Sequence, residues 1–275
     1  MNPTSDRAIT LPTYFISHGG GPWPWLRQEM PGYENLEASL QAIPQEIGMI
    51  PKAILVISGH WEEQNFTVMS SAAPPMIYDY FGFPEHTYHI KYSAPGSPSV
   101  ASRVQELIQQ AGFQIHSDPL RGFDHGVFAP LFVAYPEANI PILQLSLRAD
   151  YDPAAHLAVG RAIAPLRKEG VLIIGSGLSY HNLGRLGVAG KIPSHQFDEW
   201  LTKVIQSSPE SRNLSLLNWS QAPSARIAHP REDHLVPLFV AVGAAELEGG
   251  ERIYHEDAFF GGVAVSSFRF GKLPV

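Results

Sequence analysis

Several histidines of this chain lie where an apolar run of sequence ends, at positions typical of ligand binding. His18, His60 and His181 each follow such a run, and each has Gly or Ser nearby, which lets the backbone approach closely. In open α/β sheets, ligands bind outside the carboxyl ends of the strands, so histidines at three strand ends would converge on one crevice. Imidazole is both a common metal ligand and an acid–base group near neutral pH. The pattern therefore predicts a shared metal or catalytic site.

Three more histidines precede predicted helices. His125 lies in a Gly-bounded turn before an apolar helix, where Asp124 is the expected cap. His229 and His234 come just before a helix that starts at Leu235, and their i, i+5 spacing does not place both on one helical face. This leaves one of the two as a candidate ligand and the other as a capping or hydrogen-bonding residue. The remaining histidines lack such a context and are predicted to be surface or packing residues: His86, His89, His116, His156, His195 and His255.

The composition narrows the chemistry that is available. The chain of 275 residues has no Cys, which excludes disulfides, thiolate zinc sites, iron–sulfur clusters and cysteine nucleophiles. Its formal net charge of −7 disfavours a nucleic-acid partner, which would need a clustered basic surface. No run approaches the ~18 apolar residues of a transmembrane helix, so no membrane partner is expected. Residues 1–11 carry no signal-peptide core, and we expect a cytoplasmic protein.

The signatures of several competing enzyme classes are missing. There is no GxGxxG after the first strand and no GxxxxGK[ST], which disfavours dinucleotide and P-loop sites. Ser176 lacks the GxSxG spacing of a nucleophile elbow, and there is no HExxH. With no thiolate present, a His-rich site at strand ends best suits zinc or non-haem iron.

Short apolar runs alternate with helical patterns, which predicts an α/β fold. The predicted strands are Thr13–Ser17, Ala53–Ser58, Pro141–Leu147, Val171–Ser176 and Val263–Phe268. The predicted helices are Ser97–Ala111, Asp152–Glu169 with a kink or break at Pro165, His195–Gln206 and Leu235–Glu246. Ala72–Pro98 and Gln206–His229 are rich in Pro, Gly and Ser and are predicted to be long loops. We expect one domain over residues 1–275, with a largely parallel or mixed central sheet, helices on both faces and a metal site at the carboxyl ends of the strands.

Seven short motifs appear in order along most of the chain. They are HGGGP at 18–22, SGHW at 58–61, YDYFGFP at 78–84, YSAPG at 92–96, GFDHG at 122–126, GLSYHNL at 177–183 and HLVPL at 234–238. Together they resemble the class III extradiol ring-cleaving dioxygenases, in particular the DOPA 4,5-dioxygenase-like branch. Each motif alone carries little weight, but seven in the family's order are hard to obtain by chance.

The resemblance implies a role for each of five histidines. His18, His60 and His234 would hold one divalent metal ion per chain, with Fe(II) expected for turnover and Zn(II) as the alternative bound ion. His181 would be the acid–base residue, or a fourth ligand in a resting zinc form. His125 would donate a hydrogen bond near oxygen or substrate. Other members of the wider superfamily use two His and one Glu, so a third histidine leaves the choice of metal open.

The resemblance also implies a reaction and its partners, a small catechol and dioxygen. A catechol such as DOPA would lose a proton to His181, and the ring would open outside the two hydroxyls to a muconic semialdehyde. The loop Tyr78–Pro84 and Trp61 are expected to line a flat pocket for the ring. Two alternatives use the same histidines: a zinc-dependent hydrolase, and a non-catalytic metal-binding relative. Glu232 and Asp233 are nearby carboxylates that could replace His234 if it points away. The sequence does not indicate an oligomeric state.

The charge of the substrate determines which polar groups the pocket must contain. A substrate carboxylate buried without a partner is costly, so an anionic catechol requires a basic side chain or a free backbone amide in the crevice. The basic residues near the motifs are Lys91, Arg121, Arg148, Arg185 and Arg231. For an anionic substrate, we expect at least one of them to point into the crevice.

Overall fold

A computed structural model describes residues 9–274 and places one eight-stranded mixed sheet within them. The strands are β1 (Thr13–Ser17), β2 (Ala53–Glu63), β3 (Phe66–Met69), β4 (Ile115–Asp118), β5 (Ile142–Arg148), β6 (Val171–Gly177), β7 (Gly250–Phe259) and β8 (Val263–Phe270). Their order across the sheet is β4-β3-β5-β2-β6-β1-β8-β7. The four central strands β5, β2, β6 and β1 are parallel, whereas β3 and β8 pair antiparallel with their inner neighbours.

Eight α-helices connect or flank these strands in the described residues. They are α1 (Glu34–Ile47), α2 (Pro98–Gln110), α3 (His125–Ala134), α4 (Pro153–Ile163), α5 (Val188–Ile205), α6 (Pro209–Leu217), α7 (Ala225–Ala228) and α8 (Val236–Ala244). Every residue of α8 is buried, and so is all of α3 except Phe132. A helix that is apolar all round must be enclosed by the rest of the fold, so these two helices form part of the core.

Strand β6 shows that helices cover both faces of the sheet. A Cβ added at Gly175 would overlap the carbonyl oxygen of Pro237 in α8. The neighbouring Ser176 instead donates its hydroxyl to the carbonyl oxygen of Gly126 in α3. Because successive residues of a strand point to opposite faces, α8 and α3 lie on opposite sides of the sheet.

The predicted α/β class and the central elements are confirmed. All five predicted strands are present, and helices occur at each predicted position. Asp152 caps α4 by accepting hydrogen bonds from the backbone N–H groups of Ala154 and Ala155, both at 3.2 Å. The break expected near Pro165 is found. The helix α4 ends at Ile163, and a 3₁₀ turn follows over Ala164–Arg167.

The predictions were incomplete at the edges of the fold. β3, β4, β7 and α1 were not predicted, and α5 begins at Val188 rather than at His195. The segment Gln206–His229 is not a long loop, because it contains α6 and α7. Within the described residues, no helix combines the length and hydropathy needed to cross a bilayer.

The crossing of α4 and α8 depends on two glycines. A Cβ at Gly160 would overlap the carbonyl oxygen of Val240, and a Cβ at Gly243 would overlap that of Leu157. Both contacts are with backbone, which cannot move aside as a side-chain end can. Overpacking costs about 1–3 kcal/mol, which exceeds the roughly 1 kcal/mol that Ala gains over Gly in a helix.

We therefore expect Gly243→Ala to lower the free energy of unfolding by about 1 kcal/mol in urea denaturation, because an overpacking cost of about 2 kcal/mol outweighs the roughly 1 kcal/mol of helix propensity gained. Gly249→Ala is the matched control, because open space surrounds a Cβ at that position. Equal stability of Gly243→Ala and the wild type would show that the two helices do not depend on this close contact.

Candidate metal centre and active site

The carboxyl end of β6 brings two of the predicted histidines together. In the sheet, β6 lies between β1 and β2, and His18 directly follows β1, where its backbone N–H donates to the carbonyl oxygen of Gly177 at 3.1 Å. His60 does not follow its strand as expected, because β2 continues to Glu63. The pairing of β2 with β5 shifts between Ile57 and Glu62, and His60 lies within that irregular stretch.

The same strand end also supports the third predicted ligand. The carbonyl oxygen of His234 accepts a hydrogen bond from the backbone N–H of Leu178 at 3.1 Å, and a Cβ at Gly177 would overlap that oxygen. His181 follows a few residues later, and its ring stacks on His234 with centroids 3.4 Å apart. The end of β6 therefore positions His18 and His234 through backbone hydrogen bonds, and His181 stacks on His234.

Three imidazole nitrogens face one another in this cluster. The Nε2 of His60 lies 3.3 Å from the Nε2 of His18 and 3.2 Å from the Nε2 of His234. Two nitrogens bound to one tetrahedral zinc at ~2.0–2.1 Å would be about 3.3–3.4 Å apart. The separations therefore fit a metal ion held between the rings.

The other nitrogen of each ring faces an oxygen. His18 Nδ1 donates to the carbonyl oxygen of Gly19 at 2.8 Å, since a carbonyl oxygen only accepts. His60 Nδ1 lies 3.3 Å from Asp79 Oδ2, and His234 Nδ1 lies 3.2 Å from Asp233 Oδ2. A proton kept on Nδ1 leaves the lone pair of a neutral imidazole on Nε2, which is the arrangement that metal-binding histidines adopt.

Burial keeps these rings neutral. Burial and the neighbouring imidazoles lower the pKa values of His18 and His60 well below the ordinary value. Burial, reinforced by the nearby His181, lowers the pKa of His234 to about 4. At neutral pH each ring can therefore offer a lone pair to a cation without first losing a proton.

His125 and two carboxylates complete the cluster. Burial alone would raise the pKa of Asp79, but hydrogen bonds from His125 hold it below its usual value. Burial would likewise raise the pKa of Asp233, but contacts with His181 and His234 hold it well below its usual range. Both carboxylates are therefore ionised at neutral pH.

Other groupings of these residues could also hold a metal. His18, His60 and His125 each offer a ligand atom within 4.8 Å of the other two, and so do His181, Asp233 and His234. The Nε2 separations near 3.3 Å favour the set of His18, His60 and His234. Because His234 points into the cluster, neither Glu232 nor Asp233 is needed in its place, and Glu232 instead pairs with Arg226.

The histidine cluster forms the floor of a cavity of about 430 Å³. This volume falls in the range of small-molecule sites. Its walls are mainly aromatic and aliphatic, from Tyr80, Phe81, Phe83, Leu178, Leu183 and Phe260. Four residues of the expected loop, Asp79, Tyr80, Phe81 and Phe83, thus line it. Trp61 does not, because it is buried with its indole N–H on Glu63 and its ring beneath the guanidinium of Arg121.

None of the five basic residues proposed for an anionic substrate lines the cavity. Arg121 pairs with Asp124, Arg148 with Asp150 and Arg231 with Glu62. Lys91 lines a different surface hollow, and Arg185 is exposed outside the lining. In the part of the chain that the structure describes, the cavity wall contains no Lys or Arg. No basic side chain is therefore available in the cavity to pair with a carboxylate on the substrate.

Two histidines outside the cluster, His229 and His156, make hydrogen bonds within the fold. His229 and His234 differ in role, because His229 is buried and donates through Nε2 to the carbonyl oxygen of Ser179 at 3.0 Å. His156 is also buried and accepts the backbone N–H of Arg148 through Nε2 at 3.1 Å. Asp79 also belongs to the site, although the only sequence signal for it is a lone carboxylate inside an aromatic motif.

Comparison with known proteins places the chain among ring-cleaving enzymes. Residues 12–271 match a family model described as the catalytic LigB subunit of aromatic ring-opening dioxygenase. The chain is 40% identical to a 4,5-DOPA dioxygenase extradiol of Beta vulgaris, over 94% of this chain and 96% of that protein. It is 36% identical to a dioxygenase of Hapsidospora irregularis, over 98% of this chain and 89% of that one.

A solved structure supports the same fold. A crystal structure of an uncharacterized protein from Escherichia coli K12 aligns with a TM-score of 0.76 at 27% sequence identity. The alignment covers 95% of this chain and 100% of that chain. The sheet and its covering helices thus belong to a known architecture.

Proposed function

Because the chain belongs to the LigB family of aromatic ring-opening dioxygenases, we propose that it opens a catechol with dioxygen outside the two hydroxyls, giving a muconic semialdehyde. The extradiol position is supported by relatives named 4,5-DOPA dioxygenase extradiol. In this reaction one ring carbon–carbon bond breaks and both atoms of dioxygen enter the product. No external reductant is consumed.

The observation that carries the proposal is a set of three neutral imidazoles, His18 and His234 buried and His60 half-buried, in which the Nε2 atom of His60 faces those of the other two. We assign His18, His60 and His234 as the ligands of one divalent metal, with Fe(II) as the ion for turnover. Such an ion supplies positive charge, uncompensated by three neutral ligands, for catecholate oxygens and for dioxygen. A hydrolase on the same site is disfavoured by the family to which the chain belongs.

His181 is placed to accept a proton from the catechol. It lines the cavity beside His234, and its Nδ1 lies 3.6 Å from Asp233 Oδ1. The carboxylate of Asp233 thus lies on the Nδ1 side of the His181 ring. With Nδ1 towards Asp233, the Nε2 atom of His181 is the one left for the substrate hydroxyl.

His125 and the apolar walls hold the substrate. His125 lines the cavity, and its Nδ1 is occupied by Asp79, which leaves Nε2 for a substrate or oxygen atom. Tyr80 and Phe83 present ring edges and faces that suit a flat aromatic substrate, and Phe260 contributes a third wall.

Alanine variants separate the ligands from the proton acceptor. We expect His18→Ala, His60→Ala and His234→Ala to lose the metal on dialysis, because each removes one of three bonds to it. His181→Ala should keep the metal and lose turnover by about 10²–10⁴-fold, as is typical for removal of an acid–base group. Metal content and oxygen uptake with a panel of catechols measure the two effects.

His116→Ala serves as the control, since His116 is exposed and lies outside the cavity. Loss of metal in His181→Ala would make His181 a ligand. Loss of metal in His125→Ala together with retention in His234→Ala would assign the alternative set of His18, His60 and His125. An absence of oxygen uptake with every catechol, in Fe(II)-loaded wild type, would contradict the proposed reaction.

The charge of the cavity wall predicts a preference among catechols. Its only charged side chains among the described residues are Asp79 and Asp233, so a carboxylate on the substrate has no oppositely charged side chain to meet. We expect kcat/KM for the primary amide of 3,4-dihydroxyphenylpropanoate to exceed that for the free acid about tenfold, because an unpartnered charge costs roughly 1–3 kcal/mol.

The acid and the amide have the same shape, so the comparison isolates charge. Leu183 lies at the exposed mouth of the cavity, and Leu183→Lys should reduce the preference for the amide. A higher kcat/KM for the acid in the wild type would show that another group, such as Arg185 or a backbone amide of Gly19–Gly21, receives the carboxylate.

A further inference from the structure

Asp79 contacts two histidines of the cluster with its two oxygens. Its Oδ1 accepts the Nδ1–H of His125 at 2.8 Å and the backbone N–H of the same residue at 3.0 Å. Its Oδ2 lies 3.3 Å from Nδ1 of His60. One carboxylate therefore lies between a residue assigned as a metal ligand and a residue assigned to the substrate.

The loop that carries Asp79 is fixed to the segment before His125. The backbone N–H of Ile77 donates to the carbonyl oxygen of Phe123 at 2.8 Å, and Phe123 donates to the carbonyl oxygen of Pro75 at 2.8 Å. These two backbone bonds hold the loop against the start of α3. The side chain of Asp79 thus reaches both histidines from a fixed base rather than from a free loop.

We propose that Asp79 is a positioning residue that keeps His60 directed at the metal and His125 directed at the substrate through one shared carboxylate. The proposal rests on the roles given to His60 and His125 in the proposed function. It follows that loss of one Asp79 oxygen should disturb metal binding through His60 and turnover through His125, as two separable effects.

Asp233 offers a natural comparison within the same cluster. It also lies between two histidines, but at 3.2 Å from His234 and 3.6 Å from His181. Asp79 makes the closer contact with its non-ligand histidine and accepts the backbone N–H of that residue, whereas Asp233 accepts the backbone N–H of His234 at 3.0 Å. We therefore expect Asp79 to constrain its non-ligand histidine more tightly than Asp233 does.

The test is Asp79→Asn, which keeps the shape of the side chain but has only one accepting oxygen for two Nδ1–H groups. The affinity for Zn(II), measured by competition with a chromogenic chelator, should fall about 10–100-fold, as is typical when the partner of a ligand histidine is lost. At saturating Fe(II), kcat should also fall, with a smaller change in KM. Asp150→Asn, an exposed change outside the cavity, is the control for both readouts.

A second variant separates the two effects. In a His125→Phe background, Asp79→Asn should still weaken Zn(II) binding, since His60 remains, but should cause no further loss of kcat. An equal further loss of kcat in that background would overturn the part of the proposal that concerns His125. Unchanged Zn(II) affinity in Asp79→Asn would overturn the part that concerns His60.

A measurement on the unmutated protein keeps the proposal testable if Asp79→Asn does not fold. Long-range ¹H–¹⁵N spectra of the zinc-loaded wild type should show protons on Nδ1 of both His60 and His125. A proton on Nε2 of His125 instead would contradict the proposal. Zinc affinity and tautomers do not depend on catechol turnover, so they decide the role of Asp79 even if no catechol is a substrate.

Discussion

The close approach of three imidazole rings, with the Nε2 atom of His60 3.2–3.3 Å from those of His18 and His234, is the constraint on which the rest of the site depends. If each neutral ring carries its proton on Nδ1, the Nε2 lone pairs at these distances repel one another. A cation between them turns this repulsion into three bonds. The groups beyond each ring, Gly19, Asp79 and Asp233, determine which nitrogen is available, so the outer contacts decide whether the centre can form.

The fold supplies this arrangement through close backbone packing around His60 and the end of β6. Ser58 hydroxyl accepts the backbone N–H of His60 at 3.2 Å and donates to Asp124 at 2.7 Å. Burial raises the pKa of Asp124, and its ion pair with Arg121 opposes that shift. A Cβ at Gly126 would overlap the hydroxyl oxygen of Ser58, so a side chain there would push α3 away from His60.

Much of this could be predicted from the sequence, and the failures have physical causes. The central strands were predictable because strands buried on both faces are almost wholly apolar. β4 was missed because it is short and partly exposed, with polar residues on its outer face. The helix α6 had a visible start, since Ser208 precedes Pro209 and caps the helix, but the composition of the segment was given more weight. The placement of Asp79 against His125 joins residues 46 positions apart, which no local pattern reveals.

We infer that one metal ion is held by His18, His60 and His234 beside the carboxyl end of β6. A crystal structure of the zinc-loaded protein, with anomalous scattering at the zinc edge, tests it most directly. We expect one zinc ion, with distances of about 2.0–2.2 Å from the zinc to the Nε2 atoms of these three residues. A zinc ion bound by His125 or by Asp233 in place of His234, or located outside the histidine cluster, would contradict it.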